Sequence, residues 1–579
     1  MSSKRGSLVL FVFVFASVLT CAGTARAAMV QQWVASYNGI AGRTDAAYDV
    51  QTDAAGNVYV TGYSDDNTGA ADVFVAKYDP TGAEIWTGRW DGLTHEDDIA
   101  YSIAVDAEGN VYVAGSTMSG GQLDALLVQF DADGDQPWLA IIDGGQGDDA
   151  FNRVALDGSG NVYVAGYMTV GVADTDYLLA KFDTNGTKIW EQTDGGPAVS
   201  QDYATGLAVD SAGNAYVNGR QDTATSVGVA LLKYNPAGMF QWKEVFTGTG
   251  GAGAVGGGAV AGGGGVFYSA ALWMTGTAKD IVTAFVNADN NASWMRTYDG
   301  AQHVDDEIPE RLATVGLAGP GVRDLAIGPN DEIFATGSIG NLNHNRDILT
   351  IECNSAGEEQ WTAVYNIGST RPDISLAIAV DAHGNAFVGG RTTTNNIYDQ
   401  YLTLMYDKNG NLVDSQLFDA PGAENSMAQN ITVDPDGNPV ITGVGWQGDT
   451  ELDNAYTVKY CVGCVVNGYC YAAGASPEGN ICLICNPAAS QTGLSNNDGA
   501  ACDDALFCNG GDTCAVGACS EHAGDPCPPE TPCDETTDQC LGADDDAVDD
   551  DAIDDDATDD DTTGGGGDGG DDDDSGCGC

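Results

Sequence analysis

The stretch DAEGNVYVAG at residues 106–115 decides the fold, because versions of it recur along most of the chain. Blocks of the same form begin at Asp53, Asp157, Asp210, Asp381 and Asp434, and degenerate copies occupy residues 264–270 and 328–337. Together with the quoted block these make eight copies. A period near 50 residues is typical of repeat architectures such as propellers and solenoids.

A second block follows the copies: an Asp, an alternating apolar strand, a turn and a strand with Trp, with Val413 at the Trp position 52 residues after Trp361. The tryptophans recur 52 or 53 residues apart, with one longer step of 67, at Trp33, Trp86, Trp138, Trp190, Trp242, Trp294 and Trp361. In the third repeat, strand signals cover residues 152–156, 161–166, 177–182 and 188–192. The Asp-to-Gly turns at 157–160 and 183–186 predict tight hairpins.

These features predict an all-β fold, a propeller of about eight four-stranded blades, with seven as the alternative. A β-solenoid would not need two antiparallel hairpin turns in each repeat. The eighth repeat ends its third strand at Tyr460, and no Trp strand follows it. Residues 33–39 match residues 294–300 of the sixth Trp strand, so we predict that the N-terminal strand completes the last blade and closes the ring.

Block 106–115 resembles the SBBP-type β-propeller repeat, which is found in a broad group of secreted bacterial proteins. The resemblance covers roughly Trp33 to Tyr460. It implies an extracellular propeller and, through the family name, seven blades, whereas the repeats here number eight. It implies no shared chemistry, since propellers carry many unrelated functions.

The two ends of the propeller region differ from it in composition. Residues 1–27 have the basic start, the apolar run Leu8–Leu19 and the Ala25–Ala27 site of a secretory signal peptide, with a lipoprotein site at Cys21 as the alternative. We therefore predict a propeller over residues 28–460, without a membrane span in the mature chain. The expected location is secreted or on the outer cell surface of a bacterium.

Twelve cysteines lie between residues 461 and 540 and predict a disulfide-rich module over that range. The pairs Cys461/Cys464 and Cys482/Cys485 have the spacing of a zinc ribbon, but the even count and the signal peptide favour six disulfides. Residues 502–514 resemble small disulfide modules in surface proteins of myxobacteria-like bacteria, which implies a spacer or adhesion module.

Residues 541–579 form an Asp/Gly-rich tail that is predicted to be disordered, because it lacks apolar residues and repels itself. It ends with Cys577 and Cys579 and resembles bacterial C-terminal sorting tails, although no hydrophobic helix or basic cluster follows. Surface anchoring through this cysteine pair is a hypothesis.

The net charge of the chain limits the partners and the kind of site that can be expected. A net charge of -64 argues against nucleic acid as a partner. We expect function on the loops opposite the tight hairpins, which are acidic and could hold Ca²⁺, an ion that prefers oxygen ligands. The candidate metal ligands are Asp97, Asp98, Asp148, Asp149, Asp305 and Asp306. The alternative is that each Asp caps local backbone N–H groups.

No Ser/His/Asp or Cys/His arrangement can be assembled, and the tryptophans are expected to pack between blades. The sequence therefore predicts a monomeric binding or adhesion scaffold without catalytic residues and without a cofactor, Ca²⁺ being the one candidate. Its partner would be an unknown extracellular protein or glycan. The alternative function is a Ca²⁺-assisted extracellular polysaccharide hydrolase or lyase.

Overall fold

The structure is a computed structural model that describes part of the chain. It covers residues 29–540 except 40–42, 197–199, 224–225, 248–253, 276–277, 291–292, 299–324, 341–345, 369–370, 394–397, 447–452, 478, 504–505, 507–510, 525, 528–532 and 535–538. The predicted signal peptide, the acidic tail, and Asp305 and Asp306 lie outside the described residues. Within the described part, no helix is long and apolar enough to cross a bilayer.

Strands β1–β32 form eight antiparallel sheets in the described part: seven have four strands, and the eighth is extended by a fifth strand, Tyr469–Ala472, that pairs with β32. The predicted all-β propeller of eight blades is therefore confirmed. The first four blades contain β2–β17, and strand β1 (Met29–Tyr37) precedes them. Their bounds are β2 Asp45–Thr52, β3 Val58–Asp65, β4 Ala71–Tyr78, β5 Glu84–Trp90, β6 Asp98–Val105, β7 Val111–Ser119, β8 Gln122–Phe130, β9 Trp138–Ile142, β10 Ala150–Leu156, β11 Val162–Gly171, β12 Asp174–Phe182, β13 Lys188–Asp194, β14 Tyr203–Val209, β15 Ala215–Asp222, β16 Val227–Tyr234 and β17 Phe240–Thr247.

Blades five to eight contain β18–β32. Their bounds are β18 Ala254–Gly262, β19 Gly265–Thr275, β20 Ala278–Asn287, β21 Ser293–Tyr298, β22 Leu325–Ile327, β23 Ile333–Gly340, β24 Arg346–Cys353, β25 Glu359–Tyr365, β26 Ile374–Val380, β27 Ala386–Thr392, β28 Gln400–Tyr406, β29 Leu412–Phe418, β30 Asn425–Val433, β31 Pro439–Trp446 and β32 Asn454–Val466.

The ring closes as predicted. Strand β1 pairs antiparallel with β32, with Trp33 opposite Lys459 and Tyr37 opposite Ala455. The eighth sheet therefore has the order β1-β32-β31-β30 and takes its outermost strand from the start of the chain. Tyr37 also stacks on Phe74 of the first blade, with ring centroids 4.3 Å apart.

The first hairpin of a blade is held by the Asp that opens the repeated block. In the first blade, Asp53 Oδ1 accepts hydrogen bonds from the N–H groups of Ala55 and Asn57, and Oδ2 accepts from the Tyr59 hydroxyl at 3.0 Å. The equivalent bonds recur at Asp106, Asp157 and Asp210. The Asp and the Tyr of the repeat are therefore structural residues.

The Trp of a fourth strand locks onto the next blade, and only the seventh blade has another residue at this position, Asp414 where the spacing predicted Val413. Trp138 Nε1 donates to the carbonyl of Thr184 at 3.2 Å, and its indole lies against Gly186 in the same hairpin turn. Trp33, Trp86 and Trp190 make the same pair of contacts with the blades that follow them. The prediction that the tryptophans pack between blades is confirmed at these positions.

Two features of the third blade differ from the sequence prediction. Strands β11 and β12 are longer than the predicted strands and remain paired as far as Gly171 and Asp174. Ala173 turns the chain between them with a φ of 56°, so this connection is a tight hairpin rather than a long loop. The sequence signal was weak because Gly171 to Asp174 lacks the Asp-to-Gly pattern of the other turns.

The cysteine-rich region contains short strands that follow β32. They are β33 Tyr469–Ala472, β34 Leu483–Ile484, β35 Ser495–Asn496, β36 Ala501–Cys502, β37 Asp512–Ala515, β38 Ala518–His522, β39 Cys533–Asp534 and β40 Gln539–Cys540. By contacts the chain divides into two compact units, Met1–Asp498 with Ala515–Ala518, and Gly499–Cys514 with Cys519–Cys579.

Disulfides hold both units. In the first unit Cys461 pairs with Cys470 and Cys464 with Cys485, and in the second Cys502 pairs with Cys519 and Cys527 with Cys540. Cys482, Cys514 and Cys533 are disulfide-bonded as well. All four cysteines of the zinc-ribbon spacing are therefore oxidised, and the disulfide prediction is confirmed over the zinc alternative.

The Trp lock predicts a specific sensitivity to a single methyl group. Gly186 has a φ of 79°, and a Cβ there would lie 2.5 Å from Trp138 Cδ2. Left-handed strain and overpacking together predict that Gly186→Ala lowers the free energy of unfolding by about 2–4 kcal/mol. Gly158→Ala, in the other hairpin of the same blade, is the control, because its Cβ would meet nothing within 4 Å. We expect it to change stability by less than about 0.5 kcal/mol. Urea denaturation measures both, and equal midpoints for the two variants would contradict the lock.

Candidate functional site

The central channel is not the acidic site. A cavity of about 330 Å³ on the axis is lined by the innermost strands of several blades, with apolar side chains such as Leu207, Ile327, Ile378 and Ile431. Among the described residues that line it, Arg153 is the one that is charged. The described lining of this cavity therefore offers no carboxylate, and the grouped carboxylates lie where neighbouring blades meet.

Asp97 and Asp148, two of the predicted ligands, bind the backbone of the preceding blade. Asp97 Oδ1 accepts the N–H of Ala71, and Asp148 Oδ1 accepts the N–H of Leu123, both at 3.0 Å. These two residues cap the start of a third strand, which is the structural role that the sequence left open as the alternative. Neither is among the grouped carboxylates described next.

Asp98 belongs to a group of three carboxylates that we call the junction 1/2 cluster, formed by Asp72, Asp91 and Asp98. Oxygen atoms of all three lie within 4.8 Å of one another. Burial raises the pKa of Asp98 to about 6, although the Thr117 hydroxyl and the Gly92 N–H lower it. Two basic groups contact this cluster: Arg89 Nη2 lies 2.5 Å from Asp72 Oδ2, and His95 Nδ1 lies 2.7 Å from Asp91 Oδ2.

Asp149 belongs to an equivalent group one blade further on, the junction 2/3 cluster of Asp124, Asp143 and Asp149. Its oxygens also lie within 4.8 Å of one another. Asp149 is fully buried and accepts N–H groups from Gly144 at 2.5 Å and Thr169 at 2.7 Å. Burial, followed by the charges of Asp143 and Asp149, raises the pKa of Asp124 to about 6.

Asp176, Asp194 and Asp202 stand at comparable places at the next junction, and we call them the junction 3/4 cluster. Burial is the main cause that raises the pKa of Asp176, and the charges of Asp174, Asp202 and Asp194 add to it. Lys243 of the fourth blade forms an ion pair with Asp194 and opposes this rise. The three clusters therefore occupy comparable places in the repeat and differ in the cations around them.

The clusters arise from three positions of the repeat. One Asp is the second or third residue of the third strand, one follows or ends the fourth strand, and one begins the first strand of the next blade or immediately precedes it. Sequence reasoning selected Asp98 and Asp149 at the third position but did not include Asp72, Asp91, Asp124 or Asp143. The recurrence of Asp before each third strand was visible in the sequence. Its proximity to the other two positions depends on how neighbouring blades pack.

A pocket lies between the sixth and seventh blades on the tight-hairpin face. Its lining includes a residue that differs from those at the same position in other repeats. It has a volume of about 410 Å³ and is lined by Asn330, Glu332, Phe334, Glu352, His383 and Lys408, among others. Glu352 occupies the strand position that holds Lys181 and Lys459 in other blades, where each lysine pairs with an Asp. Burial raises the pKa of Glu352, Trp361 lowers it and Glu332 raises it further.

Sequence comparison places one repeat in a known family. Residues 92–121 match the family model described as SBBP, a beta-propeller repeat, so the resemblance noted above is confirmed for this segment. A search of curated proteins finds no sequence relative.

The chain is also similar to the solved structures of several different proteins. Sqt1 from Chaetomium thermophilum has a TM-score of 0.45 at 11% identity, covering 74% of this chain and 98% of its own. A europium-containing methanol dehydrogenase has a TM-score of 0.41 at 11% identity, covering 74% and 93%. An ulvan lyase has a TM-score of 0.38 at 12% identity, covering 74% and 94%. At such identities these similarities concern the fold and assign no chemistry.

The buried carboxylates predict an unusual dependence of stability on pH. The pKa values of Asp45, Asp65, Asp98 and Asp124 are each raised from 3.8 to about 6, mainly by burial. The folded state therefore binds more protons than the unfolded state between these two values, and stability falls as pH rises through that window. Metal-free protein should have a higher urea midpoint at about pH 5 than at about pH 7. A urea midpoint that rises from about pH 5 to about pH 7 would contradict the raised pKa values of these four carboxylates.

Proposed function

We propose that this protein is a secreted or cell-surface propeller scaffold that binds an extracellular protein or glycan and does not catalyse a reaction. The observation that carries the proposal is how the reactive side chains of the repeat are used. In blade after blade the Asp binds its own turn, the Tyr hydroxyl binds that Asp, and the Trp N–H binds the next blade. These groups hold the ring together and are not directed at a ligand.

The third repeat shows how completely such groups are occupied. Lys181 Nζ lies 2.6 Å from the Tyr163 hydroxyl and 3.1 Å from Asp157 Oδ2, and Asp157 also holds its own turn. The Lys181 and Asp157 side chains are less than a tenth exposed. A lysine or an aspartate in this arrangement is neither free to transfer protons nor accessible to a substrate, which supports the scaffold role.

The acidic loop face is the surface that we propose for binding. Exposed or partly exposed carboxylates, including Asp66, Asp91, Glu96 and Asp143, lie there on connections that differ from blade to blade. A rigid scaffold with variable loops is a common arrangement for recognition. The charge of the face favours a partner with basic groups or one that binds through bridging cations. Disulfides in both units fit an oxidising extracellular setting.

A polysaccharide hydrolase or lyase is the second candidate, and the pocket between the sixth and seventh blades is the specific observation that favours it. Glu352 is 7% exposed and lines a cavity that also contains His383 and Lys408. A carboxyl group whose pKa is raised by burial is suited to act as a general acid. The pocket therefore identifies the residue whose loss would abolish activity if this protein were an enzyme.

A single assay separates the two candidates. Full-length protein is incubated with neutral, acidic and basic polysaccharides and with basic proteins, and both retention on the immobilised partner and formation of cleavage products are measured. We expect retention of at least one partner without products, and Glu352→Gln to leave that retention unchanged. Products that disappear in the Glu352→Gln variant would overturn the scaffold proposal in favour of the enzyme.

A further inference from the structure

We propose that the junction 1/2 cluster of Asp72, Asp91 and Asp98 binds a divalent cation of the calcium type. The site is formed by this chain alone and does not depend on the identity of the partner proposed above. Two independent observations coincide at this junction. Three carboxylates are grouped there, and two buried oxygens of these carboxylates have no hydrogen-bond partner in the described part of the chain.

The two oxygens without a partner are Oδ1 of Asp72 and Oδ1 of Asp98. Both residues are almost fully buried, with exposed fractions of 3% and 0%. Their other oxygens are occupied: Asp72 Oδ2 lies 2.5 Å from Arg89 Nη2, and Asp98 Oδ2 accepts the Gly92 N–H at 2.6 Å. A buried carboxylate oxygen without a partner is costly, so a ligand that binds these two Oδ1 atoms would stabilise the folded protein.

The next two junctions show which bond is missing at Asp98. Asp149 occupies the same place at junction 2/3, and its Oδ1 accepts the Thr169 N–H at 2.7 Å. The aspartate at this place of junction 3/4 accepts the equivalent N–H, also at 2.7 Å. In the second blade Met118 stands where the third blade has Thr169, but its N–H donates to the Asp97 carbonyl at 2.8 Å. The backbone bond that fills Oδ1 at the other two junctions is therefore absent at Asp98.

Basic side chains satisfy only part of the junction 1/2 cluster. Arg89 donates to Asp72 Oδ2 and to Ser64, and His95 contacts the exposed carboxylate, Asp91. Neither basic side chain donates to the two open Oδ1 atoms. Three carboxylates so close to one another also repel, which favours a proton or a cation between them. With His95 neutral, three carboxylates against one guanidinium leave two negative charges, which one divalent cation would balance.

The chemistry of the cluster selects the class of ion. The grouped ligand atoms are all carboxylate oxygens, which suit Ca²⁺ better than zinc or copper. The Thr117 hydroxyl lies beside the Asp98 carboxyl without a hydrogen bond to Oδ1, and its oxygen could serve as a neutral ligand. Asp91 is exposed, so water can complete the roughly six to eight ligands that Ca²⁺ accepts in flexible geometry.

Junction 8/1 supplies a matched control, because it has an open oxygen without the cluster. Asp45 stands at the place of Asp98 and is fully buried; its Oδ2 accepts the Gly39 N–H at 2.9 Å, and its Oδ1 has no partner. Asn38 stands there in place of Asp91, and Asp45 belongs to none of the carboxylate groups among the described residues. Asp45 therefore has the open oxygen of the proposed site but not its other carboxylates.

The test compares these two buried aspartates. Thermal unfolding of the full-length, metal-free protein is followed with and without CaCl₂, together with calorimetric titration of Ca²⁺. We expect Ca²⁺ to raise the melting temperature of the natural protein and of the Asp45→Asn variant. Asp98→Asn should lose this rise and weaken the tightest Ca²⁺-binding event by at least about tenfold, since even the loss of a group that only orients a metal ligand costs about 10–100-fold.

A second pair of variants does not rely on buried substitutions. Asp91→Asn, at the exposed edge of the cluster, should also lose the Ca²⁺-dependent rise, whereas Asp143→Asn, at the same place in the second blade, should keep it. Without Ca²⁺, Asp98→Asn should melt no lower than the natural protein, because the substitution relieves repulsion between carboxylates. The acidic tail is identical in all variants, so its weak ion binding cancels.

Three results would overturn the proposal. The first is that Ca²⁺ does not raise the melting temperature of the natural protein. The second is an unchanged Ca²⁺ response in both the Asp98→Asn and the Asp91→Asn variants. The third is a loss of the response in Asp45→Asn and Asp143→Asn that equals the loss in the cluster variants.

Discussion

The contact between the tryptophan of one blade and the glycine turn of the next, which is made at six of the eight joints, is the constraint on which the wheel depends. A Cβ on that glycine would lie between 2.4 and 2.8 Å from the indole at Gly82, Gly134, Gly186, Gly238, Gly357 and Gly410. The indole can approach this closely because the turn has no side chain there, and its N–H then reaches a backbone carbonyl in the same turn at five of the six joints. Since the acceptor belongs to the backbone, the residue that carries it can vary, as Pro80, Ala132 and Thr184 do. One large residue and one small residue thus set the angle between sheets.

The same angle determines the electrostatics of the loop face. Fixing one blade against the next brings carboxylates from two blades within a few ångströms at successive junctions. The repeat therefore places carboxylates close together at more than one junction. The repulsion between them is reduced in a different way at each junction. Arg89 and Lys243 reduce it with basic side chains from different strands, and Asn38 and Asn366 stand where other junctions have an Asp.

Most of the fold could be predicted from the sequence because the same turn and strand patterns recur in every repeat. The Asp-to-Gly turns, the alternating strands and the Trp spacing each report a local requirement, and eight copies of them leave little ambiguity about the architecture. The closing pair of β1 and β32 was also predictable, since residues 33–39 are a Trp strand without a preceding blade. The candidate site was less predictable. Asp98 and Asp149 were found by their loop position, but Asp124 and Asp143 acquire meaning only from the distance between strands of different blades, which periodicity does not encode.

The pairing of β1 with β32 also has a consequence for the order of events during folding. Strand β1 is made first, yet its partner strand is made roughly 400 residues later. Until then, the growing chain is an open stack of sheets with an unpaired strand edge at each end, a state that is prone to pair with other chains. Closing so long a loop is entropically slow, so each blade has to acquire its internal hairpins independently and earlier. Ring closure thus depends on the last repeat, because a chain that ends before Tyr460 lacks part of β32 and leaves β1 without its partner strand.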